Sequence, residues 1–154
     1  MSDLRMTKEE REAFLAEPHV GVLSVTNEDG RPPLTVPVWY SYEPGGNVTF
    51  FTGTQGRTAQ KTALIERAGA ISFTVQYPQF PYQYVTIEGS VVGIDRPPSA
   101  EQVLAIVRRY LPEVQAQAFT DAELGLQSPS FTLFSIRPDR WLTSDFGKLD
   151  GQSQ

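Results

Sequence analysis

The segment Thr52–Thr62 combines the residue types that bind a phosphate or another small anion. It joins a predicted strand to a predicted helix, and a helix N-terminus offers free main-chain amides where the helix dipole favours negative charge. Arg57 can hold a phosphate through two parallel N–H bonds, and Lys61, one helical turn later, adds a second positive charge. Three hydroxyl side chains of the segment can donate to phosphate or polyol oxygens: Thr52, Thr54 and Thr58. The string of a Walker loop is absent, and an ordinary polar turn with a solvated Arg57 and Lys61 is the alternative.

A second candidate is the strand-like segment 35–42, which contains a proline. Pro37 has no main-chain N–H to donate, so we expect this strand to lie at a sheet edge or to open at that point. Its unpaired main-chain groups could then bind a flat polar ring, whereas a strand with an aromatic core residue, Trp39, is the more ordinary alternative.

Other candidates are less specific. We expect the single histidine, His19, to be structural or exposed, and the aromatic segment 77–84 to be either a pocket wall or a contact between subunits. Trp141 could cover the core or stack on a ring. A chain with no cysteine and one histidine has no thiolate site and a poor basis for a histidine-rich metal site, so no metal is expected.

The elements that would position these residues follow from hydrophobic periodicity and turn residues. Capping-box spacings predict helices that start after Thr7 and Ser99 and run to Ala16 and about Tyr110. A further helix is predicted over 58–68, and the segment 113–127 is helical or irregular. The predicted strands are 20–26, 34–42, 48–52, 70–77, 84–94 and 130–136, with one more short extended piece after Trp141 as a possibility. Six or seven antiparallel strands with helices added late predict an α+β fold built on a small Greek-key barrel, since closure hides sheet edges.

Length and composition limit the function classes. A chain of 154 residues predicts one domain, over 1–150, followed by a short polar tail, 151–154, that we expect to be flexible. The net charge of −5 disfavours a nucleic-acid partner. No apolar run approaches the roughly 20 residues of a membrane helix, so we expect a soluble, cytoplasmic protein with no membrane partner.

In their order along the chain, these segments resemble the pyridoxamine 5′-phosphate oxidase-like split β-barrel superfamily, and in particular its branch that binds FMN or the deazaflavin coenzyme F-420. The resemblance covers about residues 7–146. Six segments carry it: Phe14-Leu15 leading into Val20–Val25, the turn Asp29–Pro33, Pro37–Tyr40, the junction Thr52–Lys61, Tyr84–Gly89, and Arg140-Trp141.

The resemblance implies a homodimer with FMN or F-420 in a groove between two barrels. It implies that the cofactor phosphate lies at the strand-to-helix junction, held by Arg57 or Lys61, and that a strand lines the ring. The residues that it assigns to the cofactor are Val36, Pro37, Val38, Trp39, Thr52, Arg57, Thr58, Lys61, Tyr84 and Trp141. No catalytic residue is assigned, because the cofactor ring itself carries out hydride transfer.

The activity that the resemblance implies is hydride transfer between the cofactor and a small conjugated or aromatic molecule, with F-420 preferred to FMN. A protein that only binds or stores a flavin, haem or related ligand is the alternative. A true pyridoxamine 5′-phosphate oxidase is a weaker match, because Tyr84 stands where those enzymes place a glutamine that faces the cofactor.

Overall fold

The structure is a computed structural model that describes residues 3–53, 57–124 and 131–152, with the side chains at 57, 58, 124 and 150–152 outside the described set. Its strands are β1 (Gly21–Val25), β2 (Leu34–Val38), β3 (Tyr40–Ser41), β4 (Val48–Gly53), β5 (Ala70–Tyr77), β6 (Gln83–Asp95) and β7 (Phe131–Asp145). Its helices are α1 (Lys8–Ala16), α2 (Arg57–Ala68), α3 (Ala100–Val107), α4 (Glu113–Leu124) and α5 (Gly147–Gln152).

The strands form one antiparallel sheet whose two edges belong to the same segment of chain. The order is β2-β1-β5-β6-β7-β4-β3, so β2 and β3 are the edge strands. Trp39 is the one residue between them. Because residues 38 and 40 are covalently linked through Trp39, the sheet must curl until its edges meet there. This arrangement confirms the predicted α+β split barrel.

The barrel is open on one side of Trp39. β3 pairs with β4 through Tyr40↔Phe50 and Ser41↔Thr49. Beyond Phe50 the ladder ends on that side, because β2 turns away to pair with β1 along its whole length. We call the resulting gap, between residues 34–38 of β2 and Phe51–Gly53 of β4, the split.

The core fills the inside of the barrel and determines which side chains face outward. Val48 and Phe50 on β4 point into it, alternating with Thr49 and Phe51 as a strand with two environments requires. α1 and α2 add four buried side chains to the same core: Phe14, Leu15, Leu64 and Ile65. Both helices therefore cover the core of the barrel.

A second apolar layer lies on the outer side of β3 and β4. α3 and α4 pack against each other there and bury Val103, Leu104, Val107 and Ala116. Phe51, which points away from the barrel core, packs against this layer. The two helices thus cover the sheet next to the split.

The last strand is much longer than the predicted strand over 130–136. The predicted strand stops at Ile136, whereas β7 continues to Asp145. The ladder with β6 pairs Glu88 with Arg140 and Gly89 with Pro138, so Asp139 is an extra residue at a register shift. A bulge tolerates a residue without an N–H, which explains how a proline lies inside this strand.

The structure of two other segments, the end of α3 and the predicted tail, differs from the sequence prediction. α3 ends at Val107 rather than near Tyr110, because the amides of Arg109 and Tyr110 bond to carbonyls three residues back and the chain tightens. α5 includes the first two residues of the segment 151–154 that was predicted as a tail, and the last two lie outside the described residues. No helix of the described chain is long and apolar enough to span a membrane.

Candidate functional site

The split brings together predicted site residues that are distant in sequence. Residues 36–38 form its first side, with Pro37 exposed and Val38 buried in the core. Trp39 lies where the split closes, and its indole stacks on Tyr110 at 5.0 Å with an interplanar angle of 6°. The side of β2 that faces away from β1 therefore has unpaired main-chain groups, Pro37 is exposed, and Val38 is anchored by its buried side chain.

Thr52 lies on the second side of the split and connects β4 to α2 through a hydrogen bond. Its side chain is 2% exposed, and its Oγ1 lies 2.6 Å from Thr62 Oγ1. The Thr62 hydroxyl in turn donates to the carbonyl of Gly53 at 2.6 Å. These bonds direct the Thr52 hydroxyl at α2, so its contribution to the site is to hold the start of that helix beside the split.

Arg96 adds a second set of polar contacts between α2 and the neighbouring strands. Its Nε donates to Thr132 Oγ1 at 3.0 Å, and its guanidinium forms an ion pair with Glu66 of α2. Thr132 is the cross-strand partner of Thr52, which bonds to Thr62, one turn before Glu66. α2 is therefore held at two successive turns, and its N-terminal end is fixed relative to β4 and β7.

Lys61 is the cation on the first half of α2 whose side chain the structure describes. The side chain is half-buried, and burial lowers the pKa of its ammonium below the ordinary value of 10.5. No described residue forms an ion pair or hydrogen bond with it. A desolvated cation without a protein partner is stabilised by an anionic ligand, so the residue fits a phosphate.

The other two predicted phosphate ligands cannot be compared with the structure. The side chains of Arg57 and Thr58 lie outside the described residues, as do Thr54, Gln55 and Gly56. The main chain shows that α2 begins at Arg57, four residues after the last residue of β4. The junction is therefore a strand followed by a helix start, as predicted.

Tyr84 and Trp141 lie away from the split. Tyr84 is on β6 between Gln76 and Ser144, and Trp141 is on β7 opposite Ile87. The Trp141 ring packs against the core, with the Arg11 guanidinium 4.5 Å from its centroid. Of the two expectations for Trp141, the structure thus shows the covering of the core. In the described part of the chain, neither residue is a cross-strand neighbour of another predicted ligand.

His19 has the structural role that was one of its two expectations. Its Nε2 donates to the carbonyl of Phe14 at 2.9 Å, and its ring stacks on the Phe14 ring at 4.4 Å. Burial lowers its pKa below 6.5. In the described part of the chain, no group of three histidine, aspartate or glutamate side chains could hold a metal ion.

Two aromatic side chains beside Trp39 were not predicted from the sequence: Phe119 of α4, and Tyr110 in the turn between α3 and α4. Phe119 of α4 lies 6.4 Å from the Trp39 ring, and the Tyr110 hydroxyl donates to the carbonyl of His19 at 2.6 Å. The segment 113–127 carries a weak signal: among its described side chains, at 113–123, the buried ones are Ala116 and Thr120, which are small and four residues apart. That spacing could have predicted a helix with Phe119 beside its buried face.

Comparison with known proteins gives the family of the fold. A family model described as pyridoxamine 5′-phosphate oxidase matches residues 7–145. No curated protein matches the chain.

Solved structures share this architecture at low sequence identity. A conserved hypothetical protein from Mycobacterium tuberculosis is 20% identical, with a TM-score of 0.74 over 97% of this chain and 91% of that one. An F-420 reductase is 24% identical, with a TM-score of 0.65 over 85% of this chain and 94% of the other. An FAD-binding protein from Mesorhizobium loti is 16% identical, with a TM-score of 0.58 over 93% and 96% of the two chains. At these identities the likeness shows the fold.

Proposed function

This chain belongs to the pyridoxamine 5′-phosphate oxidase family, and from that premise we propose that it is an oxidoreductase that binds F-420 or FMN at the split. The proposed activity is hydride transfer between the cofactor ring and a small conjugated or aromatic molecule. F-420 is the preferred cofactor, because one of the similar folds is an F-420 reductase that aligns over most of both chains.

The observation that carries this proposal is Lys61. A half-buried ammonium with a lowered pKa and no described partner is the electrostatic counterpart of a phosphate. It lies on α2, the helix that follows β4, and β4 forms the second side of the split. A molecule with a planar ring and an anionic tail matches this arrangement: the ring against β2 and the tail at α2.

The residues of this chain would bind and orient the cofactor. Lys61, with Arg57 as the other predicted cation, would hold the phosphate. The main chain of residues 36–38 would form hydrogen bonds to the polar edge of the ring, and the Thr52–Thr62 pair would keep α2 at a fixed distance from that strand. When bound in its reduced form, the cofactor would supply the hydride. The protein's contribution is placement and exclusion of water.

The partner that we propose is a second copy of the chain. One cross-strand row on the uncovered outer face of the sheet runs through Pro37, Val22, Thr74, Thr86 and Leu142. Two side chains of this row are exposed, Val22 to 38% and Leu142 to 62%. Since the row begins at Pro37, a copy that docks there would lie beside the split. Contact of Tyr84 with a cofactor would then be made across the interface, because Tyr84 is two positions from Thr86 on the same face.

Cofactor binding is tested by titrating the purified chain with F-420, FMN and riboflavin while following ligand fluorescence. We expect saturable binding of the phosphate-bearing cofactors and weaker binding of riboflavin, which has no phosphate. Reduced F-420 is then mixed with a panel of quinones and enones, and its reoxidation is followed. Binding with no turnover on the panel would support the storage alternative, and no binding of either cofactor would refute the proposal.

The dimer is tested by sedimentation of the Leu142→Glu variant. A charge in the row should convert the dimer to a monomer. Val114→Glu is the matched control, since Val114 is 82% exposed on α4, away from the row. A monomeric parent chain, or a Leu142→Glu variant that remains dimeric, would contradict this interface.

A further inference from the structure

The outer helical layer has an aliphatic centre and an aromatic margin. The side chains that are fully or nearly fully buried between α3 and α4 are aliphatic: Val103, Leu104, Val107 and Ala116. Around them lie four aromatic side chains that are partly exposed, and we call these four the aromatic rim: Trp39, Phe51, Phe119 and Phe131.

The rings of the rim form one continuous surface. Phe51 and Phe131 have centroids 4.5 Å apart, and Phe131 stacks with Phe119 at 6.1 Å and 16°. Phe119 reaches Trp39 at 6.4 Å, with the two rings tilted by 52°. Tyr110 stacks on the Trp39 ring, so the indole has a fixed orientation.

This surface borders the split. Trp39 is the residue at which the chain passes from β2 to β3, and Phe51 is the first residue of β4 beyond the β3 ladder. Both side chains point to the outer side of the sheet, away from the barrel core. A ring that lies along β2 in the split therefore has the rim beside its outer side.

Partly exposed aromatic rings favour planar ligands over saturated ones of equal size. Offset stacking of two aromatic rings adds to the effect of buried area, by an amount that corresponds to roughly 2- to 12-fold in affinity. The four rim side chains carry no charge, so the rim itself offers no ion pair to an anionic molecule.

We propose that the aromatic rim is the surface on which this chain recognises its second substrate, an uncharged planar conjugated hydride acceptor, and that Phe119 selects for planarity. The inference rests on the proposed function, since it takes the split as the cofactor site. It assigns substrate selection to α4, which lies outside the barrel itself.

The experiment compares two probes of similar size: menadione, which is planar, and trans-1-decalone, which is saturated. The full chain is used with and without FMN, in a Trp141→Phe background, so that Trp39 is the one remaining tryptophan of the two in the sequence. Quenching of Trp39 fluorescence gives the affinity for menadione, and calorimetry gives the affinity for both probes.

We expect menadione to bind roughly 2- to 12-fold more weakly to Phe119→Leu, with decalone unchanged. Phe131→Leu is a second variant with the same expected result, for use if Phe119→Leu fails to fold. Phe80→Leu is the matched control, because Phe80 is exposed in the segment 77–84, which was the other expected pocket wall.

Equal losses for menadione and decalone would overturn the inference, since they would show loss of apolar area alone. An effect of Phe80→Leu on menadione without an effect of Phe119→Leu would also overturn it. The FMN titration of the same samples keeps the two proposals distinguishable: absent FMN binding refutes the cofactor site, whereas probe selectivity reports on the rim by itself.

Discussion

Replacing Lys61 with methionine removes the charge that the proposed cofactor site depends on, while keeping a side chain of similar length. Lys61 is half-buried and has no ion pair or hydrogen bond with a described residue, so no described carboxylate loses its partner in the variant. Most charge deletions in a protein interior break a pair. The Lys61→Met substitution instead removes a desolvated cation whose pKa is already lowered by burial.

The expected loss of affinity follows from the bond that the ammonium would make. A hydrogen bond to a charged group contributes about 1.5–3 kcal/mol, which corresponds to roughly a 10- to 160-fold weaker dissociation constant for FMN or F-420. Riboflavin has the same ring without the phosphate, so its affinity should be unchanged. The free energy of unfolding should not fall, because the folded state disfavours the charged form of Lys61.

The measurement is a fluorescence titration of FMN and of riboflavin against the parent chain, Lys61→Met and Lys8→Met. Lys8, exposed at the start of α1, is the matched control and should leave both dissociation constants unchanged. Equal losses for FMN and riboflavin would refute the assignment of the phosphate to Lys61, as would an unchanged FMN affinity.

The pH dependence of binding has a defined sign. The folded-state pKa of Lys61 is lower than 10.5, so its charge is lost at a lower pH than that of a free lysine. FMN affinity should therefore begin to fall with rising pH before 10.5 is reached, and this fall should be absent in Lys61→Met. A phosphate bound beside the ammonium would move the fall to higher pH in the loaded protein.

Three further predictions concern the framework of the site. Tyr110→Phe should lower the free energy of unfolding by about 1–3 kcal/mol, because the Tyr110 hydroxyl bonds to the His19 carbonyl and accepts from the Tyr40 amide. His19→Gln should remove a loss of stability that the parent chain shows as the pH falls below 6.5, since the unfolded state takes up the proton first when burial lowers the folded pKa. Gly21→Ala should cost about 1–3 kcal/mol, because a Cβ there would lie 2.1 Å from Cζ of Phe73, and Phe73→Leu should restore most of it.

Denaturant unfolding, with its midpoint and slope, measures all three. An unchanged free energy of unfolding in the Tyr110→Phe variant would show that water replaces the Tyr110 hydroxyl. If the free energy of unfolding of the parent chain does not change between pH 7 and pH 6, the lowered pKa of His19 is contradicted. Additive losses in the Gly21→Ala, Phe73→Leu double variant would show that the two side chains do not compete for the same space.

The sequence by itself determined the type and order of most elements, and it placed the cations of the junction at the start of α2. Capping boxes at Thr7 and Ser99 form with the predicted partners, because the cap uses side chains at a fixed local spacing. The cations of the Thr52–Thr62 segment and the proline in β2 are also local features. Pro37 correctly marked an edge strand, since the missing donor is a property of the residue itself.

The tertiary structure decided which of these residues meet. That β2 and β3 lie at opposite edges of one sheet, and that the split therefore opens between β2 and β4, depends on pairings across most of the chain. The continuation of β7 through Pro138 depends on a bulge opposite Gly89, which the sequence of β7 alone does not encode. Trp39 and Phe119 are 80 residues apart, and only helix packing brings their rings together. Local spacing fixes hydrogen bonds within a few residues, whereas a site made from distant segments is fixed by the burial that folds them onto each other.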